Sequence, residues 1–542
     1  MLSISFLFAL LLVAYLFLFF SGLPDLRACA LPTPDAPELT RSLSAARGGD
    51  GKRSSQKARL AVLLITVLYA LSAFWRLGDT DANRSFAPMA GRSAVLDFGD
   101  DEKPAMLVLF PGVGVGEYSI EVSGDMEGWH PVKSFSQDYI SVLKWQYVTV
   151  GLTGSYRYLR IDCVSGEPWL GEIAVWDIND RPLAFTCSIP ELHDEPETVP
   201  EQSTFLNSSY FDEIYHARTA WEHLHGIWPY EISHPPLGKE ILSLGILLFG
   251  MTPFGWRFSG TVTGILMLPL MYVFLRRVFG GQRIPVMGTL LLASGFMHYA
   301  QTRIATIDSY AVFFILLMYT FMYAWLSEEK TRDLALCGLS FGLGAACKWT
   351  CLYAGAGLAV LWLGHWILRL RADRGATGAF FRNVLLSLLF FVVLPCTIYY
   401  LSYLPYGIAE GAPLFSRRYT GLVLDNQKFM LNYHVNVKAE HPYSSRWYQW
   451  ILNLRPILYY LVYNPDGTRV SIAAFVNPVI CWGGLLCLFV LAAAVLLRRD
   501  RTAAVLLVAY ASGLVPWMFI SRLTFEYHYF ASAVFLILAI CY

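Results

Sequence analysis

The chain has 542 residues, 55% hydrophobic, 15% aromatic and only 15% charged, whereas a soluble protein carries about a quarter of its residues as charges. Its 41 basic and 41 acidic side chains cancel, which excludes a global basic field of the kind that collects nucleic acid. What remains is a multi-spanning α-helical membrane protein, with the bilayer as its first partner.

In chain order, residues 2–20 form an apolar run without a charge. The run lacks the basic n-region of a secretory signal and is long enough to cross, so it reads as a first span. A Pro/Gly/Ser-rich linker follows and ends in Arg47, Lys52, Arg53, Lys57 and Arg59, just before the apolar stretch 60–75. By the positive-inside rule this linker is cytoplasmic and the chain emerges on the outer side from residue 78. Residues 1–84 are therefore assigned to N-terminal transmembrane segments and a cytoplasmic linker.

Residues 85–190 change character. Short alternating runs such as YSIEVS, YVTV and YRYLRIDC are separated by Gly, Pro and Asp turns, the pattern of an external all-β sandwich. Together with GEYSIEVSGDMEGWHPV and WLGEIAVWD they resemble the discoidin-like, galactose-binding-like jelly rolls. That resemblance implies carbohydrate as a ligand of the β domain, with a spacer or docking module as the alternative. Of the ten cysteines, most lie in apolar runs and act as small hydrophobes. Cys163 and Cys187 fall in the β region, where a disulfide between them is left open.

The remaining apolar segments are roughly 255–275, 284–300, 310–326, 334–347, 352–368, 384–404, 471–497, 502–520 and 530–542, which with the first two make about eleven spans. Counting crossings from residue 212 outside puts Arg276/Arg277/Arg283, the SEEKTRD turn, Arg369/Arg371/Arg374/Arg382 and Arg498/Arg499/Arg501 inside. The segment 240–252 is too short to cross and reads as an interfacial or re-entrant helix, and 405–470 reads as an outer loop. Residues 191–542 form the membrane domain with its outer loops.

The same count places Asp212, His234, Lys239, Arg257, Arg303, Asp308, Lys348, Arg522 and His528 on the outer side. A charge within an apolar segment costs about 2.5–3.5 kcal/mol on insertion scales, so each needs a partner. A carboxylate among outward cations suits transfer from a phosphate-linked sugar. The base takes the proton of the attacking hydroxyl while arginine or lysine neutralises the departing phosphate. Asp212 and Glu213 point in different directions on any regular backbone, so one is expected to act and the other to orient it. The bland alternative is a pair of solvated acids opening a helix. His234 is held extended by Pro235 and Pro236, and Arg303 and Asp308 are close enough to pair. HPYSSRWYQWILNLRP, at 441–456, offers flat aromatic contacts for an acceptor or an interfacial belt. No GxxxxGK[ST], HExxH or GxSxG motif is present, which argues against a nucleotide-driven pump, a zinc protease and a serine hydrolase.

FDEIYHARTAWEHLHG with HPPLGK, WRFSG, RIATIDSY, GAACKWT, HPYSSRWYQW and a late SR before YHYF together resemble the protein O-mannosyltransferase family of GT-C glycosyltransferases, bacterial type. The resemblance implies inverting transfer of mannose from a polyprenyl-phosphate mannose to Ser or Thr of an exported protein. It implies Asp212 as base with Glu213 beside it, and Arg257, His234, Lys239, Arg303, Lys348 and Arg522 around the donor phosphate. The acceptor surface is expected at His441, Tyr443, Ser445 and Trp447. The donor lipid is a substrate, no cofactor is tightly bound, and no metal ligands are assigned. The setting is the bacterial cytoplasmic membrane with the site on its outer face, or the endoplasmic reticulum in a eukaryote. Two features depart from the family. The 405–470 loop is too short for the large luminal domain of eukaryotic members, and the β insertion replaces a usually short first loop. A lipid or envelope polysaccharide as acceptor is the alternative enzyme reading. A transporter or carbohydrate-binding anchor is the alternative of another class.

Overall fold

The computed structural model describes residues 51–542 apart from 153, 439 and 465. The expected span at 2–20 and most of the basic linker lie outside the described residues. Helix α1 (Gly51–Phe74) leads into the strands β1 (Ala87–Pro88), β2 (Ser93–Glu102), β3 (Met106–Pro111), β4 (Gly116–Ser123), β5 (His130–Gln137), β6 (Gln146–Thr149), β7 (Tyr156–Gly166), β8 (Trp169–Trp176) and β9 (Thr186–Cys187). Then come α2 (Glu213–His225), α3 (Leu237–Phe249), α4 (Pro253–Phe279), α5 (Arg283–Ala293), α6 (Phe296–Thr302), α7 (Asp308–Glu328), α8 (Thr331–Cys347) and α9 (Thr350–Ala372). The last third holds α10 (Thr377–Leu388), α11 (Leu394–Ser402), α12 (Leu404–Ala409), α13 (Arg417–Asn436), α14 (Trp447–Ile451), the hairpin β10 (Ile457–Tyr463) and β11 (Arg469–Ala474), α15 (Pro478–Arg498), α16 (Arg501–Leu514) and α17 (Phe530–Cys541).

Seven helical stretches among the described residues are long and apolar enough to cross a membrane: 55–74, α4, α7, α9, 374–409, α15 and 501–519. The protein is an integral membrane protein. α7 is buried almost throughout and packs against α4, α8, α9 and α17. The stretch 374–409 instead exposes Leu385, Leu388, Val392 and Val393, as a lipid-facing helix does. Local signals start the helices where chain direction changes. Thr252 caps α4 through Gly255 N at 2.9 Å, with Pro253 behind it, and Ser416 caps α13 through Tyr419 N at 3.1 Å. α3 and α4 approach so closely that a Cβ at Gly245 would collide with the Gly255 carbonyl.

The strands from β1 to β9 build two antiparallel sheets, in the orders β1-β8-β3-β6 and β5-β4-β7-β2-β9. In β4 the alternation is visible, with Tyr118, Ile120 and Val122 buried between the sheets. β3 is buried on both faces. Leu107 and Leu109 join the sandwich interior, while Val108 and Phe110 belong to the membrane-domain core. That second face rests on α2, where the Trp221 ring meets Trp169 and Phe86 edge-on at 5.7 and 6.0 Å. The sandwich is thus seated directly on the helix that Asp212 opens.

The question left open at Cys163 and Cys187 is answered, and two expectations are corrected. Cys163 and Cys187 are free thiols. They lie in β7 and β9, which flank β2 on opposite sides, so two strand spacings of about 4.8 Å each exceed the reach of a disulfide. The segment 405–470 is not a loop, since it carries α13, a 20-residue helix, together with α14 and most of the hairpin. The apolar run beginning at 471 starts in a strand, and its helix begins only at Pro478.

Candidate active site

Glu213 and Arg257 form a fully buried pair. Arg257 Nε and Nη2 each donate to one Glu213 carboxylate oxygen at 2.7 Å. The other N–H groups donate to the carbonyls of Leu77 at 2.8 Å, Phe205 at 2.5 Å and Ser208 at 3.0 Å. Glu213 also accepts the amides of Tyr210 and Ala305. With all five guanidinium donors committed to protein oxygens, Arg257 has none left for a substrate phosphate. The structure gives it a different task from the expected one: it ties the end of α1 and the 205–208 turn to the start of α2.

Asp212, one residue earlier, has the opposite setting. It is half-buried at the entrance to α2, and its side chain makes no capping bond. Burial raises its carboxyl to about 7; Asp308 adds to the rise and Lys348 opposes it. Lys348 donates to Asp308 Oδ1 at 2.7 Å and lies 5.6 Å from the centre of the Tyr527 ring. Phe211, immediately before Asp212, has φ 50°. For a bulky side chain this left-handed conformation costs about 1–3 kcal/mol. Packing holds it there, with its ring 4.5 Å from Tyr459 and 6.2 Å from Tyr527.

A second buried knot lies beside Asp212. Glu231 pairs with Lys239, accepts His234 Nδ1–H or faces it at 3.1 Å, and stands 4.0 Å from His216 Nδ1. Burial works against the charge on Glu231, but the Lys239 ammonium and the hydrogen bond from His234 outweigh it and hold its carboxyl well below the usual range. Burial lowers His234, so its ring is neutral at pH 7. Lys239 is fully buried, bonded to Glu231 and to the His234 carbonyl at 2.9 Å, and so is not presented to a ligand. Arg303 does not pair with Asp308. It donates to the carbonyls of Ala73, Trp75 and Arg76 at 2.7–3.0 Å and lies over Tyr299.

Arg522 lines an open cleft of about 870 Å³ with Lys438, Arg446, Arg455 and His441 against one acid, Glu440. Tyr433 on α13 lies within electrostatic reach of both Arg522 and Asp212. Tyr527 is a second such neighbour, so Arg522 is the cleft cation that shares its surroundings with the half-buried carboxylate. Of the acceptor set, His441 and Ser445 line the cleft and Tyr443 joins the aromatic cluster of Tyr459 and Tyr527. Trp447 is half-buried on the membrane-domain core. Ser445 is buried, with its hydroxyl accepting the Trp450 indole N–H at 2.9 Å, so its surroundings are those of a structural hydroxyl.

Glu231, Phe211, Tyr433 and Tyr459 were not singled out from the sequence. The run PYEISHPP carried a signal for Glu231, an acid three residues before a proline-fixed histidine. The left-handed Phe211 left no trace in composition. One carboxylate trio also escaped the sequence reading: Glu172, Asp194 and Glu195 lie within 4.8 Å of one another in the β domain.

The polytopic bundle has the fold of the GT-C membrane glycosyltransferases. A chain of the S. cerevisiae protein O-mannosyltransferase complex, solved with its sugar donor, superposes with a TM-score of 0.52 at 13% identity, covering 61% of this chain and 81% of that one. The model described as dolichyl-phosphate-mannose-protein mannosyltransferase matches residues 233–400. The model of the C-terminal four-helix region of protein-O-mannosyltransferase matches 419–542. The chain belongs to the protein O-mannosyltransferase family. Similar curated proteins are the polyprenol-phosphate-mannose–protein mannosyltransferases of Corynebacterium glutamicum, 26% identical over 58% of this chain and 73% of that protein, and of Mycobacterium tuberculosis, 25% identical over 62% and 76%.

Proposed function

We infer that this protein transfers a mannosyl residue from a polyprenyl-phosphate mannose to a Ser or Thr hydroxyl of an exported protein, with inversion at the sugar carbon. The names of its relatives supply the donor and acceptor classes. The observation that carries the mechanism is Asp212, a half-buried carboxyl with its pKa near neutrality beside Lys348, as a general base at pH 7 requires. The acceptor hydroxyl oxygen attacks the anomeric carbon, its proton passes to Asp212, and the bond from that carbon to the phosphate oxygen breaks with its electron pair. Lys348, which spends one of its three N–H donors on Asp308, and Arg522 at the cleft stabilise the departing phosphate. Glu213, Arg257 and the Glu231–Lys239–His234 knot hold the framework. The strained Phe211 sets the direction of Asp212.

The site faces the outer side of the cytoplasmic membrane in this reading, because the arginine-rich loops between spans lie at the other end. The sandwich is a discoidin-like module docked on α2, with carbohydrate as its ligand class. The test is Asp212→Asn in membranes given labelled lipid-linked mannose, with the product analysed by mild β-elimination, which releases only Ser/Thr-linked sugar. Full transfer by the variant removes the proposed base; label that resists release moves the acceptor to lipid or polysaccharide.

A further inference from the structure

A second cavity, of about 580 Å³, opens where α1 ends, between that helix, the 293–303 segment and strand β11. It is separated from Asp212 by the aromatic cluster that carries Phe205, Tyr210 and Ile472 toward this cavity and Phe211, Tyr459 and Tyr527 toward Asp212. Two guanidinium groups line it, Arg76 and Arg303, and no carboxylate does among the described residues.

Both cations are held in place by the fold. Arg303 is pinned by three carbonyls at the end of α1 through Nε and Nη2 and lies over Tyr299 at 4.8 Å, while its Nη1 makes no hydrogen bond within the described residues. Arg76 sits in a left-handed turn at φ 49°, with its guanidinium 5.8 Å from the Phe205 ring centre. Its side chain makes no hydrogen bond or ion pair within the described residues. Two like charges lining one cavity repel; backbone carbonyls and the Tyr299 ring offset part of the charge on Arg303 and the Phe205 ring part of that on Arg76, but no anion of the described lining balances them. Hydroxyls of Ser72 and Ser471 stand at the same wall.

The position selects the ligand. α1 presents Leu60, Leu63, Leu64, Leu68 and Leu71 outward, and Trp75 is 74% exposed at its end. The cavity mouth is therefore at the depth where a bilayer changes from acyl chain to headgroup. Guanidinium groups with free N–H edges, beside aromatic walls at that depth, match a phosphate group carried on an apolar tail.

We propose that this cavity binds the phosphate headgroup of an anionic membrane lipid, at a site separate from the transfer centre. The source is either a polyprenyl phosphate or an anionic phospholipid, and the inference does not depend on the transfer reaction. Native mass spectrometry of the full chain released from detergent tests it, with undecaprenyl phosphate, phosphatidylglycerol and zwitterionic phosphatidylcholine as separate probes. Wild type is expected to retain an anionic lipid at least tenfold better than phosphatidylcholine. Arg76→Glu on the exposed turn and Ser471→Trp, which fills the cavity from the hairpin, are each expected to reduce that retention at least tenfold while elution and melting stay unchanged. Preferential loss of a second undecaprenyl phosphate in the variants identifies a carrier lipid; preferential loss of phosphatidylglycerol identifies a structural lipid. Equal retention by wild type and both folded variants, or equal retention of phosphatidylcholine, overturns the proposal. Mannosyl transfer measured on the same samples reports separately on the catalytic reading.

Discussion

Asp212 and Glu213 are chemically near-identical neighbours with opposite surroundings, and the contrast separates what holds the site from what works in it. Glu213 is sealed in, with both oxygens on Arg257 and two backbone amides besides. Such a pair adds little net stability against an apolar substitute, but removing one member leaves a buried charge without compensation. Asp212 is left short of partners, beside Asp308 and Lys348, where burial raises its carboxyl to about 7 so that it exchanges its proton near neutral pH. A helix start that turns one acid inward and the next toward a cleft assigns structure to the first and chemistry to the second.

The sharpest way to break that contrast is to neutralise each acid in turn. Asp212→Asn is expected to lower the transfer rate by about 10²–10⁴, the usual contribution of a positioned general base, with an unchanged melting profile. Glu213→Ala is expected to cost about 3–5 kcal/mol of stability, the price of stranding a buried Arg257. It should show as early melting and low yield in fluorescence-detected size exclusion. If the two variants behaved alike in both assays, the division of labour would be wrong. A smaller effect sharpens the contrast on the cation side. Arg522→Ala, which removes a guanidinium bonded among the described residues only to the Leu523 carbonyl, should raise KM for the lipid donor about tenfold, as loss of one charge-assisted hydrogen bond of about 1.5 kcal/mol implies. Arg257→Lys should instead act on stability, because a lysine cannot reproduce the bidentate fork.

The sequence showed which charges sat near the apolar segments but not how they divide. Asp212, Arg257, Lys348 and Arg522 were visible as polar residues in a membrane domain, and the β character of the insertion was visible in the period-2 alternation of β4. The partners were not. Glu213 finds Arg257 across 44 residues and Asp308 finds Lys348 across 40, whereas the sequence-near pair Arg303/Asp308 does not form, because the unpaired carbonyls at the end of α1 capture Arg303. α13 was hidden for a related reason. Its 20 residues mix charges, amides and tyrosines, with only Tyr419, Val423, Asn426 and Met430 buried, a stripe too thin to separate from loop composition. The second buried face of β3 depended on α2, more than a hundred positions further on.

The smallest expected effect tests whether Asp212 is tuned by its neighbours or only by burial. Its carboxyl faces Asp308 at the start of α7, Lys348 at the end of α8 and Glu231 in the loop after α2. Tyr215 on its own helix and Tyr433 on α13 also lie within its reach. The base must be ionised to act, so transfer should fall on the acid side of about pH 7 and level off above it. Asp308→Asn removes a negative charge that favours the protonated form and releases Lys348, whose positive charge favours the ionised one. Both changes lower the pKa of Asp212, so the acid limb should move to lower pH. The variant should then gain activity at pH 6 relative to pH 8 when compared with wild type. A limb that stays in place would leave burial as the only tuning force and reduce the Lys348–Asp308 pair to a structural tie like Glu213–Arg257.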